Sequence, residues 1–515
     1  MEGQGVQVVW FKRDLRVDDH APLREAAQRG PVLPLYVVEP PLLVQQDADP
    51  RHWWIAREAL VALREALAAL GQPLVVRVGD PVAVLDALAE TLPTAGLWSH
   101  QETGNLATYA RDRRVGAWAR QRGITWTELP QDGVVRRLAD RDEWERRWEA
   151  AMDPAPLAPP DALTPLPAID PGPIPSADAL GLGPDLAERQ RGGEPRAIAA
   201  LEGFLTRRGE HYTRGMSSPL SATRACSRLS PHLALGAISS RRAYHRARAR
   251  LALAYEAGET SWAGSMRSFI SRLHWRGHFM QKLESEPRIE GHPQHPAYED
   301  FWPAVPDPAF FEAWAAGETG YPLVDATMRA LVSSGYLNFR MRAMLTSFAC
   351  HDLRLHWRVA GLHMARMYLD YEPGIHWPQM QMQAAVTGIS APRIYDPTKA
   401  ARELDPTGAY IRRWIPALEG VPDSYIHMPW QMSGTLQERA GCRIGQQYPA
   451  PLVDHAEVAR AERARIAALM RDPDFAAQAE RVLRTHGSRR GRRRPLPRSR
   501  PQSLQLRIPF ASGEG

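Results

Sequence analysis

Cysteine is scarce: the 515 residues hold three, Cys226, Cys350 and Cys442, far apart in the chain. No CxxC or HExxH occurs, so no thiolate cluster is available for zinc or an iron–sulfur centre, no other metal site is expected, and no disulfide framework is laid out. An intracellular, reducing, cytoplasmic setting is expected. No run of about 18 apolar residues exists, and the opening MEGQGVQVVWFKRDLR carries no signal-peptide apolar region, so no membrane span is expected. GxGxxG and GxxxxGK[ST] are missing too, which removes the usual dinucleotide and P-loop phosphate cradles.

Tryptophan is plentiful, with 16 residues, and the charge balance is +6. A basic excess suggests an anionic partner such as nucleic acid, although much of it sits in one tail. The length allows two or three domains. Over residues 1–135, VQVVWF (6–11), VLPLYVV (32–38), PLVVRV (73–78) and ITWTEL (124–129) read as strands. HWWIAREALVALREALAALG reads as a helix ending at Gly71. The alternation predicts an α/β domain with a parallel sheet, Rossmann-like or flavodoxin-like. Residues 136–195 form a Pro/Ala-rich, surface-running linker, 196–470 an all-α domain, and 471–515 a basic tail unable to bury a core, hence disordered.

In SFISRLHWRGHF (268–279), Phe269, Arg272, Trp275, Arg276 and Phe279 fall three or four apart. On a helix this makes one face both aromatic and cationic. It reads either as a helix that buries its rings and solvates its arginines, or as a face for a flat anion. CSRLSP offers hydroxyls and backbone N–H groups just before a helix start, suiting either a pyrophosphate or a simple N-cap at Ser230.

Several long stretches together resemble the photolyase/cryptochrome family: VVWFKRDLRVDDHAPL, RACSRLSPHLALGAIS (224–239), ETGYPLVDATMRAL (318–331) and DPTGAYIRRWIPAL (405–418), in the family's order over roughly residues 6–430. The resemblance implies an antenna-type α/β domain followed by a helical domain holding a folded FAD. It also implies a possible antenna chromophore (folate, deazaflavin or FMN) and damaged DNA, single- or double-stranded, as partner. By matching, Cys226, Ser227, Arg228, Leu229 and Ser230 line the FAD phosphates, with Tyr212 beside them. Phe269, Arg272 and Arg276 face the FAD, Arg342 and Asp352 form an ion pair near the flavin, and Asp370 and Glu372 meet its polar edge. Trp275 lies by the DNA cavity, where a ring could stack on an extruded base, and Arg393 contacts DNA near the lesion. The implied activity is blue-light-driven splitting of pyrimidine dimers by electron transfer from reduced flavin, a carbon–carbon lyase reaction. A photoreceptor or DNA-binding flavoprotein without repair is the alternative.

The departures gather at the chemistry. Arg272 stands where dimer-splitting members usually have a glutamate. The flavin N5 neighbour, usually asparagine, falls near His376–Pro378, and Asn338 and Phe339 stand where a further polar pair is usual. Trp357 matches the middle of the common three-tryptophan relay, but Gln381 and Ala304 fall at its other two positions. Hopping could pass through Trp302, Trp314, Trp377, Tyr368 or Tyr395. NFRMRAM lacks the histidine of the (6-4) type, and the cysteine count excludes the iron–sulfur branch. The chain reads as a divergent branch. Trp275, Arg272 and Trp357 are the residues expected to serve the chemistry.

At the C-terminus, QLRIPF (505–510) resembles peptides that bind the bacterial replication sliding clamp. Leu506, Ile508 and Phe510 could fill an apolar groove and Gln505 supply a hydrogen bond, on a tether that raises local concentration. Short motifs of this kind arise by chance, and a chance match is the favoured reading.

Overall fold

The structure, a computed structural model, describes residues 5–166, 169–303, 305 and 307–489. The chain divides into two compact units: residues 1–210, 227–287 and 369–375 form the first, and 211–226, 288–368 and 376–515 the second. The helices of segment 227–287 thus group with the sheet rather than with the remaining helices.

The first unit holds five parallel strands, β1 (Val6–Phe11), β2 (Val32–Val38), β3 (Val75–Val78), β4 (Thr94–His100) and β5 (Thr125–Leu129). Their order is β3-β2-β1-β4-β5, the Rossmann arrangement rather than the flavodoxin one. Four strands are those expected. The fifth, β4, is TAGLWSH, whose apolar character is broken by Gly96, Ser99 and His100. It pairs with both β1 and β5, so burial on both faces leaves it no alternating pattern to betray it. The helix Pro50–Ala69 turns Trp53, Leu60, Leu63 and Leu67 into the core beneath one face of the sheet.

The order reverses between β1 and β4, and in such sheets ligands bind outside the carboxyl ends at that point. Here those ends carry a dense set of the chain's own charges. Buried Arg111 pairs with Glu39 and Asp112 at 2.8 Å and with Glu102 at 2.5 Å; Lys12 meets Asp112 at 3.1 Å, and Arg136 meets Glu128 at 2.6 Å. The proline-rich connector lies against this unit. Leu163 N–H donates to Leu70 O (2.6 Å), and Val76 N–H on edge strand β3 donates to Pro171 O (2.8 Å).

Among the described residues of the second unit, every regular element is a helix apart from one bridge, Ile444–Tyr448. Asp325, in the first turn of helix Pro322–Ser334, is buried and accepts from Thr319 N–H (2.8 Å), Thr319 Oγ1 (2.6 Å), Gly320 N–H (3.0 Å) and Tyr448 O–H (2.5 Å). Burial pushes its carboxyl up to about 6, although these donors oppose the shift. The unfolded chain releases this proton near pH 4 and the folded chain near pH 6. Stability from this group is therefore present below pH 4 and lost as pH rises to 6, by about 3 kcal/mol. In urea unfolding between pH 4 and 6, Asp325→Asn is expected to remove this slope. A variant whose stability tracks the parent's across that range would refute it.

Candidate functional site

Helix Thr260–Ser285 carries the aromatic and cationic face. Phe269 is buried and packs on Phe204, with ring centroids 4.9 Å apart. Arg272 and Trp275 are half-buried. The Trp275 ring meets His278 edge-on (5.1 Å) and leans on Phe279 (5.8 Å). Arg276 is not solvated: it is 9% exposed and lies 3.3 Å from Glu372 and 3.5 Å from Asp132, while its Nη2 also donates to Leu233 O at 3.1 Å. Arg13 reaches Glu372 at 3.8 Å. Burial works against the Arg276 cation, but Asp132 and Glu372 outweigh it and keep it charged. Burial likewise raises the Glu372 carboxyl above the usual range, against the pull of Arg13 and Arg276.

These four charges line a cavity of about 20 Å³, room for an ordered water, closed by Gln101, Glu102, Thr103, Gln131 and Met280 among others. Its polar walls come from the loops after β1, β4 and β5. Arg13, Glu102 and Asp132 escape a sequence reading because their shared position depends on β4. A signal was present in the charges directly following VQVVWF.

Residues 227–230 make a tight turn. Arg228 is left-handed (φ 62°) and Leu229 right-handed (φ −88°, ψ −13°), a pairing that turns successive backbone N–H groups into one concavity. Leu229 N–H donates to Ser227 Oγ at 3.4 Å, and Gln190 Nε2 fixes the turn through Arg228 O at 2.7 Å. Ser230 opens helix Ser230–Ala234 but does not cap it: Leu229 holds the cap position, with no side-chain bond. N–H groups, the Ser227 hydroxyl and the Arg228 cation are a donor set that fits a pyrophosphate. Tyr212, buried, and Cys226, half-buried at the end of helix Pro219–Ala225, belong to the second unit.

The expected Arg342–Asp352 ion pair is replaced by other partners. Arg342 Nε donates to Leu337 O (2.9 Å), and its guanidinium lies 4.0 Å from the Tyr368 ring centroid. Asp352 bonds His455 Nδ1 instead. On a regular helix a separation of ten residues leaves two side chains about 80° apart, and the widened π-turn Phe348–Asp352 shifts Asp352 further. Asp370 is buried, and Trp357 is fully buried at the start of helix Trp357–Met367. Arg393 is exposed, and its carbonyl accepts from Ser347 Oγ at 3.1 Å. Gln381 is a clamp: its Nε2 donates to Ile289 O (2.7 Å) and His292 O (2.8 Å), and its Oε1 accepts from Gln294 N–H (2.7 Å). Ala304 and the segment Gln505, Leu506, Ile508 and Phe510 lie outside the described residues.

One cluster was not anticipated. Asp14 Oδ2 bonds both His20 Nε2 (3.0 Å) and His100 Nδ1 (2.8 Å), all three buried at the sheet's carboxyl end. His20 Nδ1 accepts from Leu23 N–H (3.1 Å), so Nε2 bears the proton and points it at Asp14. With Nδ1 taken by Leu23 N–H and the proton on Nε2, His20 offers no free lone pair toward Asp14, and the three residues form a hydrogen-bonded triad.

Comparison with known proteins agrees with this organisation. The family described as "DNA photolyase" matches residues 7–138, and "FAD binding domain of DNA photolyase" matches 269–468. The chain is 31% identical to a cryptochrome DASH of Gloeobacter violaceus, covering 89% of this chain and 95% of that one. It is 32% identical to a deoxyribodipyrimidine photo-lyase of Halobacterium salinarum, covering 89% and 99%. Among solved structures, a class III photolyase from Agrobacterium tumefaciens superimposes with a TM-score of 0.79 at 26% identity, covering 91% and 98%. With a helical half of the FAD-binding type and an α/β half matched separately, the chain belongs to the photolyase/cryptochrome family.

Proposed function

We propose that this protein is a blue-light-driven DNA repair flavoprotein acting on pyrimidine dimers. The observation that carries the proposal is the likeness to deoxyribodipyrimidine photo-lyases over nearly the whole chain, 32% identity covering 99% of the Halobacterium salinarum protein. When bound, FAD supplies light absorption and one-electron chemistry. The chain's own residues bind and orient. The turn Ser227–Ser230 is assigned to the pyrophosphate, and by the family match alone Tyr212 and Cys226 are assigned to the FAD phosphates and Phe269, Arg342, Asp352 and Asp370 to the flavin. Glu372, already engaged by Arg276 and Arg13, positions Arg276 rather than offering an empty carboxylate. Half-buried Trp275 has a ring face to stack on an extruded base, a contact of about 1–3 kcal/mol. Exposed Arg393 suits a DNA phosphate.

A second reading, a photoreceptor without repair, is favoured by Arg272 in place of the usual glutamate. Reduced protein incubated with dimer-containing oligonucleotide is expected to lose dimer in blue light and not in darkness. No light-dependent loss, with DNA still bound, would favour the second reading. In that assay Arg272→Glu is expected to raise the splitting rate by about tenfold, because a carboxyl restores the hydrogen-bond geometry that a guanidinium alters. Unchanged or slower splitting would show that Arg272 does not occupy that position.

An antenna of the folate, deazaflavin or FMN class is part of the proposal. The cavity at the strand ends, about 20 Å³, is too small for any of the three without movement of its walls. The absorption spectrum of released cofactors tests for each. A clamp contact through Gln505, Leu506, Ile508 and Phe510 is likewise proposed, and a peptide spanning 500–515 that fails to capture the clamp would end it.

A further inference from the structure

Lysine is nearly absent from this chain: of 64 basic residues only three, Lys12, Lys282 and Lys399, are lysine, and the rest are arginine. Two of the three are placed as ordinary cations. Lys12 pairs with Asp112 (3.1 Å), and Lys399 is exposed near the start of helix Pro397–Leu404. Lys282 is placed differently. It lies near the end of helix Thr260–Ser285 and is 6% exposed, with Nζ 5.4 Å from the Phe279 ring centroid. No described residue gives it a hydrogen bond or an ion pair.

The charge beside Lys282 has its own sign. Gln281 pins the segment after β5 to this helix: its Oε1 accepts from Val135 N–H (2.8 Å) and its Nε2 donates to Val135 O (3.0 Å). That segment brings Arg141, 7% exposed, onto the helix face where His278 and Lys282 stand one turn apart. Arg141 Nη2 donates to His278 Nδ1 (2.5 Å), and its guanidinium lies 4.4 Å from the Trp144 ring centroid. Arg141 across the interface and His278 on its own helix are the charged or titratable groups next to Lys282. Glu284, the nearest acid along the chain, accepts instead from Thr103 (2.8 Å) and Tyr109 (2.7 Å). Burial, with Arg141 adding to it, lowers the Lys282 ammonium to about 7, and no carboxylate acts against them. An arginine there would keep its charge; a lysine loses it, and the neutral amine is a nucleophile.

We propose that Lys282 is a carbon dioxide site, carried as the carbamate with Arg141 as its counter-ion. The neutral Nζ lone pair forms a bond to the carbon of CO2, one C–O π pair moves onto oxygen, and one amine proton leaves to water. No oxidant or reductant enters. A cation beside a guanidinium becomes a carboxylate beside one, a charge-assisted pairing in place of a repulsion. Trp144 Nε1–H, buried in the same cluster and without a hydrogen-bond partner among the described residues, is an unused donor there. CO2 is small and apolar, so the Phe279 ring on one side of the amine does not bar it. Only the unprotonated amine reacts, so occupancy rises as pH climbs through about 7 and falls below it.

The test uses the full chain in bicarbonate labelled with the NMR-active carbon isotope. The parent is expected to show a carbamate carbon signal above pH 7 that is lost below it. Treatment with a trialkyloxonium salt should fix an alkoxycarbonyl group on the peptide that holds Lys282, read by mass spectrometry. Lys282→Met and Lys282→Arg should lack both signatures, and Lys399→Arg should keep both. Bicarbonate should raise the urea midpoint of the parent and not that of the two Lys282 variants, since only the folded parent takes up CO2. A carbamate signal that persists in Lys282→Arg overturns the proposal. So does a Lys282 peptide that stays unmodified in parent protein saturated with bicarbonate. Should bicarbonate stabilise the parent with no group trapped, the site holds the free anion and the carbamate is likewise overturned.

Discussion

Replacing Gly236 with alanine is expected to lower stability by about 4 kcal/mol, the sum of left-handed strain and overpacking. Gly236 sits at φ +63°, where a side chain is strained, and its Cβ would fall 2.2 Å from Arg13 O and 2.6 Å from Asp14 Cα. Both are backbone atoms of the loop after β1. That loop is tied to the same segment by Arg13 Nε to Ala234 O (2.9 Å), Arg16 Nη1 to Gly236 O (2.9 Å) and Leu15 N–H to Leu235 O (3.1 Å), so it cannot yield independently. Urea unfolding measures the loss, and a change under about 1 kcal/mol would mean that the loop adapts.

Glu372→Ala is expected to lower stability by about 3 kcal/mol, because Arg276 keeps its charge in a buried place with only Asp132 to answer it. The decisive result is the cycle with Arg276→Met. If the loss comes from an uncompensated cation, the double variant should recover most of it, since removing both charges is often nearly neutral. Additive losses in the unfolding free energies would show that the two residues act separately.

Much of the architecture was legible. β1 and β2 announced themselves at their observed bounds because their apolar runs are continuous and flanked by turn residues. The helix ending at Gly71 showed an apolar stripe over 20 residues. β4 was hidden because a central strand needs no alternation and this one contains glycine, serine and histidine. Once β4 is lost, the strand-end cavity is lost too, since Glu102 and Asp132 come together only through sheet order. At the site, Phe269, Trp275 and Arg276 were recognisable by spacing along one helix. The carboxylate partners of Arg276 were not, being separated from it by nearly a hundred residues or more. The Arg342–Asp352 pairing failed for a local reason: a π-turn changes which face a residue occupies, and no residue type advertises one.

The connector's contact with β3 bears on how the chain is made. Val76 N–H, on the outermost strand, finds its acceptor at Pro171, almost a hundred residues downstream. Once the ribosome has passed Leu129 but has not yet reached Pro171, the sheet is complete in strands but carries a bare margin able to recruit a neighbour. The proline-rich segment then works as a late-arriving selvedge, and shortening the gene product to its first 135 residues leaves that margin unhemmed.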